Sequence, residues 1–429
     1  MPDRLHPPVT KPVTSLDYLP AEQQHLPCGV ELYCAPKREL GVLRIDLYWP
    51  FGTAVQDKSA QARTANQLMF GGTKTRTAEA ILDEFESWGA SFSCDTGLLS
   101  SSISIKSIKE NLKDIIPVLI DVLENASYPQ NELDLFKSVE HASLLRKMQT
   151  PGYWSQRLCL EALYGVHSAD TNFTDIEDLA AIGQNELLSY KQTNLAGRFA
   201  TVFISGDYDQ KTLALLDNCF SQLNPSDTRA AEATFSPPLN QTELIKKHLP
   251  HSNQISLCMA KHLNRVSPLE FPKLSLLNLF LGGFFGSRLM QDLREEKGLT
   301  YGIGSNISLS GNGHTWMISG EMNSDNADIT RDSIREILIG LWKNPPKGDE
   351  LEKAKRYYGG QLRGSLDGPF SEPGKIQFLL KTGYPQNYYQ QALQTIWSTD
   401  SETLAELAYN YLNPDSFSIA LAGATGEAN

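Results

Sequence analysis

Arg294, a permanent cation with a fork of donors, and Tyr301, a phenol with one hydrogen to donate, fall close together in LGGFFGSRLMQDLREEKGLTYGIGS, residues 281–305. Gly282, Gly283 and Gly286 loosen the backbone ahead of a helical run marked by Leu289 and Leu293, and Gly298 stops that run. Residues 299–305 then read as a strand. Arg294 is thus expected in the last helical turn and Tyr301 early in the strand. A helix end, a glycine and a strand can bring both side chains to one surface. Spacing alone favours a plainer reading, in which Arg294 is a solvated charge in the run REEK and Tyr301 a half-buried strand aromatic.

The elements that must position these residues belong to a chain of 429 residues, too long for one ordinary core, so two domains of about 200 residues are expected. Hydrophobic residues at 41% suffice for burial and charged residues at 21% are ordinary for a soluble protein. The net charge of −12, from 38 basic and 50 acidic residues, comes with no basic stripe, which argues against nucleic acid as a partner. No apolar run reads as a leader or a membrane span, so the expectation is a cytoplasmic protein without a membrane partner. Six scattered cysteines without a CxxC pair read as small buried hydrophobes.

Taken in order, residues 1–24 suggest an extended arm, and 30–36 and 43–49 suggest strands. In the second of these Leu43, Ile45, Leu47 and Trp49 alternate. Helices are expected over 60–70 and 77–88, one or two strands over 91–105, then helices over 108–124, 130–148, 153–164 and 184–193. A strand over 200–204 closes the half. Residues 227–240, with Pro237-Pro238 and little apolar periodicity, form the best linker candidate. The expected division is therefore a domain over 1–226, the linker, and a domain over 241–429.

The second half repeats this order. Strands are expected over 255–259, 299–308, 314–321 and 417–422, and helices over 270–281, 286–297, 326–343, 347–364, 388–396 and 401–412. The phrase at 66–72, ending in Gly71-Gly72, parallels that at 277–283, ending in Gly282-Gly283, which reads as an internal duplication. The expected fold is α+β: two homologous domains, each a mostly antiparallel sheet backed by helices.

Ser287, Arg288, Leu289, Leu293, Arg294, Gly298, Leu299 and Tyr301 match a pattern of roughly SRLxxxLRxxxGLxY. With it the chain resembles pitrilysin/insulinase-type peptidases and mitochondrial-processing-peptidase-like proteins over roughly residues 25–423. The resemblance implies two domains enclosing a central chamber, across which the Arg and Tyr help bind and polarise a scissile peptide. Active members carry HxxEH, in which two His on one helix face bind zinc and the Glu activates water, with a more distant Glu completing the metal set.

Aligned on Leu68-Met69-Phe70-Gly71-Gly72-Thr73, the motif falls here on residues 63–67. Arg63 and Gln67 take the places of the two His, Asn66 that of the base, and the distant position falls at about Leu144, with Glu140 the nearest carboxylate. Arg63 cannot ligate zinc, Asn66 cannot take a proton at neutral pH and Leu144 has no donor atom. Hydrolysis by this half is not expected, and no metal is expected in this chain. His248 and His251 are the one close histidine pair, spoiled as a helical arrangement by Pro250, and neither a GxSxG elbow nor a GxxxxGK[ST] loop occurs. The glycines at 282–286 read as a flexible turn.

The resemblance then implies a non-catalytic subunit that pairs with a homologous, HxxEH-bearing and zinc-holding chain and contributes Arg294 and Tyr301 to bind an extended peptide. A homodimer is a further possibility. The alternative is a structural or peptide-binding relative with no part in proteolysis.

Overall fold

The computed structural model describes residues 11–16, 18–196, 200–223, 232–368 and 370–425. Strands β1 (Glu22–His25), β2 (Glu31–Lys37), β3 (Val42–Trp49), β4 (Ser91–Thr96), β5 (Ser101–Ile108) and β6 (Thr201–Gly206) form one sheet in the order β1-β2-β6-β3-β5-β4. Strands β7 (Leu244–His248), β8 (Gln254–Asn264), β9 (Thr300–Leu309), β10 (Gly313–Asn323) and β11 (Ser418–Gly423) form a second in the order β7-β11-β8-β10-β9.

With β1 set aside, the two orders are the same. In each half the closing strand inserts beside the opening one and runs parallel to it, β6 with β2 and β11 with β7, while the remaining pairs are antiparallel. The duplication visible in the sequence is therefore a duplication of topology. Each sheet is backed by amphipathic helices: Leu112–Asn125 buries Ile115, Ile116 and Leu119 in the first core, and Ala327–Lys343 buries Ile334, Leu338 and Leu341 in the second.

The same glycine ends both closing strands. Gly206 and Gly423 hold φ of +93° and +128°, and a Cβ there would lie 2.4 Å from the Val42 carbonyl oxygen and 2.1 Å from that of Gln254. Only glycine fits a chain that turns this tightly over the neighbouring strand. Gly206→Ala is expected to destabilise the protein by about 1–3 kcal/mol, measured by urea unfolding, and a change within error would mean the turn relaxes at no cost.

The halves are joined by an exchange of helices. Helix Pro151–Tyr164, from the first half, lies on the second sheet. Its Ser155 hydroxyl meets Ser256 at 2.8 Å, the Cys159 thiol donates to the Ser418 carbonyl at 3.2 Å, and the Tyr164 hydroxyl meets Thr315 at 2.6 Å. Helix Glu372–Thr382, from the second half, lies on the first sheet, with Ile376 packed against Tyr33, Tyr48 and Phe203. Its Glu372 pairs with Arg38 at 2.7 Å. A cavity of about 640 Å³ between the halves is lined by Tyr48, Phe51 and Val55 on one side and by Arg265, Gly311 and Lys381 on the other.

Near that cavity, His314 on β10 is buried against Phe271. Burial, with the Arg265 and His262 charges adding in the same sense, lowers its pKa from 6.5 to about 4. The neutral ring is the folded form, so its contribution is full above pH 6.5 and is lost as pH falls toward 4. Across that window His314 should cost the fold up to about 3 kcal/mol. His314→Phe should flatten the loss of stability between pH 6.5 and 4, followed by urea titration at each pH. An unchanged slope would assign the acid sensitivity to other groups.

Short helices at Ile176–Ala181, Gln210–Phe220 and Glu372–Thr382 and strands β1 and β7 go beyond the sequence reading. The expected arm over 1–24 gives way to β1 from Glu22, and its residues 1–10 and 17 lie outside the described residues. Residues 227–231 of the expected linker also lie outside them, and 232–240 carry no helix or strand. Among the described residues no helix is long and apolar enough to cross a membrane.

Candidate functional site

The corner that carries Arg294 and Tyr301 is built from irregular backbone. Helix Phe271–Asn278 passes into a π-helical turn, Leu279–Gly283, and after the loop at 284–287 a second π-helical segment spans Met290–Glu296. The expected helix over 286–297 is thus largely π-helical, a rare form that recurs at functional sites. Leu289 and Leu293 are buried in the second core, which turns Arg294 outward. At the end of the segment the Lys297 amide donates to the Asp292 carbonyl at 2.9 Å and the Leu299 amide to that of Leu293 at 2.8 Å, with Gly298 at φ +62° between them. These bonds tie the start of β9 to the helix end beside Arg294.

Tyr301 is the extra residue of a β-bulge. Gly302 faces Glu321 and Thr300 faces Met322, so Tyr301 has no partner on β10. The Thr300 hydroxyl fixes the bulge by donating to the Glu321 carbonyl at 2.5 Å and accepting from the Gly302 amide at 3.1 Å. The result is a tyrosine 90% exposed, whose hydroxyl makes no hydrogen bond among the described residues. Bulges of this kind re-aim a side chain.

Arg294, with 38% of its side chain exposed, holds Glu295 at 3.5 Å and stacks its guanidinium 5.1 Å above the Phe285 ring. The other matching residues serve the corner rather than its surface. The Ser287 hydroxyl accepts from the Met290 amide at 3.4 Å, and Arg288 reaches Glu350 at 3.3 Å and the Gly340 carbonyl at 3.3 Å.

The loop at 282–286, read in the sequence as a flexible turn, is instead packed in place. A Cβ on Gly282 would lie 2.6 Å from the Ser305 amide nitrogen, and one on Gly283 would lie 3.0 Å from Asn278. Asn278 in turn accepts from Trp316 Nε1 at 2.8 Å and from the Ser305 hydroxyl at 2.7 Å. Phe285 escaped the sequence reading. Its signal was two consecutive aromatics among three glycines, in a loop where glycine content alone was weighed.

The degenerate motif lies on helix Gln61–Gln67 and lines a cavity of about 280 Å³ with Thr53, Arg63, Gln67, Asp95 and Thr96. Asn66 is fully buried and spends its amide hydrogens on the Asp95 carbonyl at 2.8 Å and the Ser102 carbonyl at 3.2 Å, with Thr96 Oγ1 at 3.0 Å. It grips the β4–β5 hairpin and has no free base to offer. Arg63 pairs with Glu140 at 3.6 Å, so the carboxylate that reaches this helix meets a cation. Leu144 stands one turn further along the same helix, Gln130–Met148, half-buried and without a donor atom. A guanidinium, two carboxamides and an aliphatic side chain do not fit a zinc ion.

Of the close histidine pair, His248 has its Nδ1 on the Thr425 carbonyl. The 280 Å³ cavity is lined by residues of the first half, whereas Arg294 and Tyr301 rise from the second.

The family model described as the peptidase M16 inactive domain matches residues 181–358. The crystal structure of a peptidase M16 inactive domain from Pseudomonas fluorescens superposes with a TM-score of 0.86 at 22% identity, covering 96% of this chain and 99% of that one. The likeness to the M16 family thus covers the fold of the whole chain and, by the family model, residues 181–358. Among curated relatives, the uncharacterized zinc protease YmxG of Bacillus subtilis is 25% identical over 317 residues, 73% of this chain and 76% of its own length. The non-peptidase homolog YmxG of Helicobacter pylori is 24% identical over 395 residues, 87% of this chain and 88% of its own. The two-sheet α+β architecture found here is shared with that solved M16 inactive domain.

Proposed function

We propose that this chain is the non-catalytic subunit of a two-chain peptidase, binding extended peptides and lending Arg294 and Tyr301 to a homologous zinc-bearing partner. The observation that carries the reading is the bulge that holds Tyr301 out of the fold, 90% exposed, on the strand that follows the helix end carrying a part-exposed Arg294.

In this reading the partner's HxxEH helix supplies the zinc and the base that make water a nucleophile. The Tyr301 hydroxyl donates to the substrate carbonyl oxygen as it gains negative charge, which favours the transition state over the ground state. Arg294 holds a backbone carbonyl of the same peptide. The peptide lies extended, adding a strand to an exposed sheet edge of the partner. In this reading the two chains work together in the cytoplasm.

The test is peptide hydrolysis by this chain, by an HxxEH-bearing relative from the same cell, and by the mixture, with zinc quantified in each. Turnover in the mixture alone, lost on Arg294→Ala, supports the proposal. An inert mixture that forms no complex leaves the second reading, a peptide-binding or structural protein, which the structural engagement of Asn66 and Arg63 also suits. Zinc-dependent turnover by this chain alone would refute both.

A further inference from the structure

We infer that Phe285 is the apolar wall of the Arg294 subsite and that the peptides bound there carry a large aromatic or branched aliphatic side chain next to the carbonyl that Arg294 holds. This rests on the functional reading above and adds a substrate class to it.

Phe285 is 60% exposed, although its neighbour Phe284 turns in against Tyr357 with ring centroids 5.1 Å apart. An aromatic at the tip of a slack loop would follow Phe284 toward the core. This loop has no such freedom. Gly282 abuts β9, Gly283 abuts Asn278, and the Ser287 amide closes the turn on the Phe284 carbonyl at 3.1 Å. A Cβ on Gly286 would lie 2.7 Å from the Phe284 ring, so the glycine is what lets that ring turn in while Phe285 stays out.

The guanidinium of Arg294 lies on the Phe285 ring, an arrangement in which the cation is held by the ring's electron-rich face. Glu295 faces Nε, and the two terminal nitrogens have no hydrogen-bond partner among the described residues. The subsite therefore offers free N–H donors at the edge of a cation and an apolar surface beside them. A peptide residue with a carbonyl and a bulky apolar side chain satisfies both. An acidic side chain would use the cation and leave the ring bare.

The experiment is fluorescence anisotropy with labelled extended peptides that differ at one position, Phe, Leu, Ala or Asp. They are added to the full chain and to its complex with the zinc-bearing partner. Phe and Leu peptides should bind about tenfold more tightly than the Ala peptide, the scale on which a hydrophobic site separates small differences in side chain. Phe285→Ala should bring that ratio to about one and Phe285→Leu should keep most of it, with thermal unfolding confirming that both variants are folded. Binding that needs Arg294 but favours Asp, or an apolar preference that survives Phe285→Ala, would overturn this inference and leave the subunit role standing. If the wild-type protein binds none of the peptides, alone or in complex, the subunit role falls and this inference with it.

Discussion

Replacing Tyr301 with phenylalanine is expected to lower kcat of the proposed two-chain peptidase by about 10²–10³, the cost of removing one donor to an oxyanion in that proposal. The ring and its place on the bulge are kept, so KM should change little: the lost hydrogen bond strengthens only as the carbonyl gains charge. Arg294→Ala should behave differently, raising KM as well, because its nitrogens hold the peptide before the carbonyl is attacked. Steady-state kinetics on the mixture separate the two effects. If Tyr301→Phe alters KM alone, the hydroxyl serves binding and not the transition state. If neither variant alters turnover in an active mixture, the corner has no part in the reaction.

The second large effect lies far from that corner. Asp46→Ala should destabilise the protein by about 3–5 kcal/mol, the usual cost of removing one partner from a buried ion pair. Asp46 is fully buried on β3 and takes Arg44 Nε at 2.6 Å, Arg44 Nη2 at 2.8 Å and Gln377 Nε2 at 2.8 Å. Arg44 itself, with 19% of its side chain exposed, also reaches Ser104 at 3.0 Å and the Phe370 carbonyl. Without the carboxylate, a largely buried cation and the amide of Gln377 lose their acceptor at the contact between the first sheet and the exchanged helix Glu372–Thr382. Urea unfolding measures the loss. Asp46→Asn should retain part of the stability, since one oxygen acceptor remains. A change of less than about 1 kcal/mol on Asp46→Ala, the scale of an exposed pair, would show that Arg44 finds other partners and the network is not what couples the halves.

Much of this protein is legible in the sequence because the signals are local. The run at 130–148 is rich in helix-forming residues and flanked by Pro129 and Pro151, and it emerges as helix Gln130–Met148. The alternation of Leu43, Ile45, Leu47 and Trp49 gives β3, with all four side chains buried. The repeated order of elements gives two sheets of the same topology, because equivalent strands and connections fold by equivalent rules. That Arg63 and Gln67 stand where the pattern has histidines and Asn66 where it has a carboxylate base is a matter of residue type alone, and folding cannot turn a guanidinium or a carboxamide into an imidazole or a base.

What the sequence could not supply depends on partners distant along the chain. Arg44, Asp46 and Tyr48 alternate with the apolar set and so read as the solvent face of β3, yet Asp46 and Tyr48 are buried, because a helix 331 residues further on in sequence covers them. The glycines at 282–286 looked loose until β9 was packed against them. Tyr301 and Arg294 could be picked out by type and spacing. Only the unequal pairing of β9 with β10 decided that the tyrosine leaves the sheet, and only the packed loop decided that Phe285 lies beneath the arginine. Residue type settles which chemistry is possible. Register and long-range packing settle where each group is aimed, since both are set by backbone hydrogen bonds and contacts between segments that no local pattern brings together.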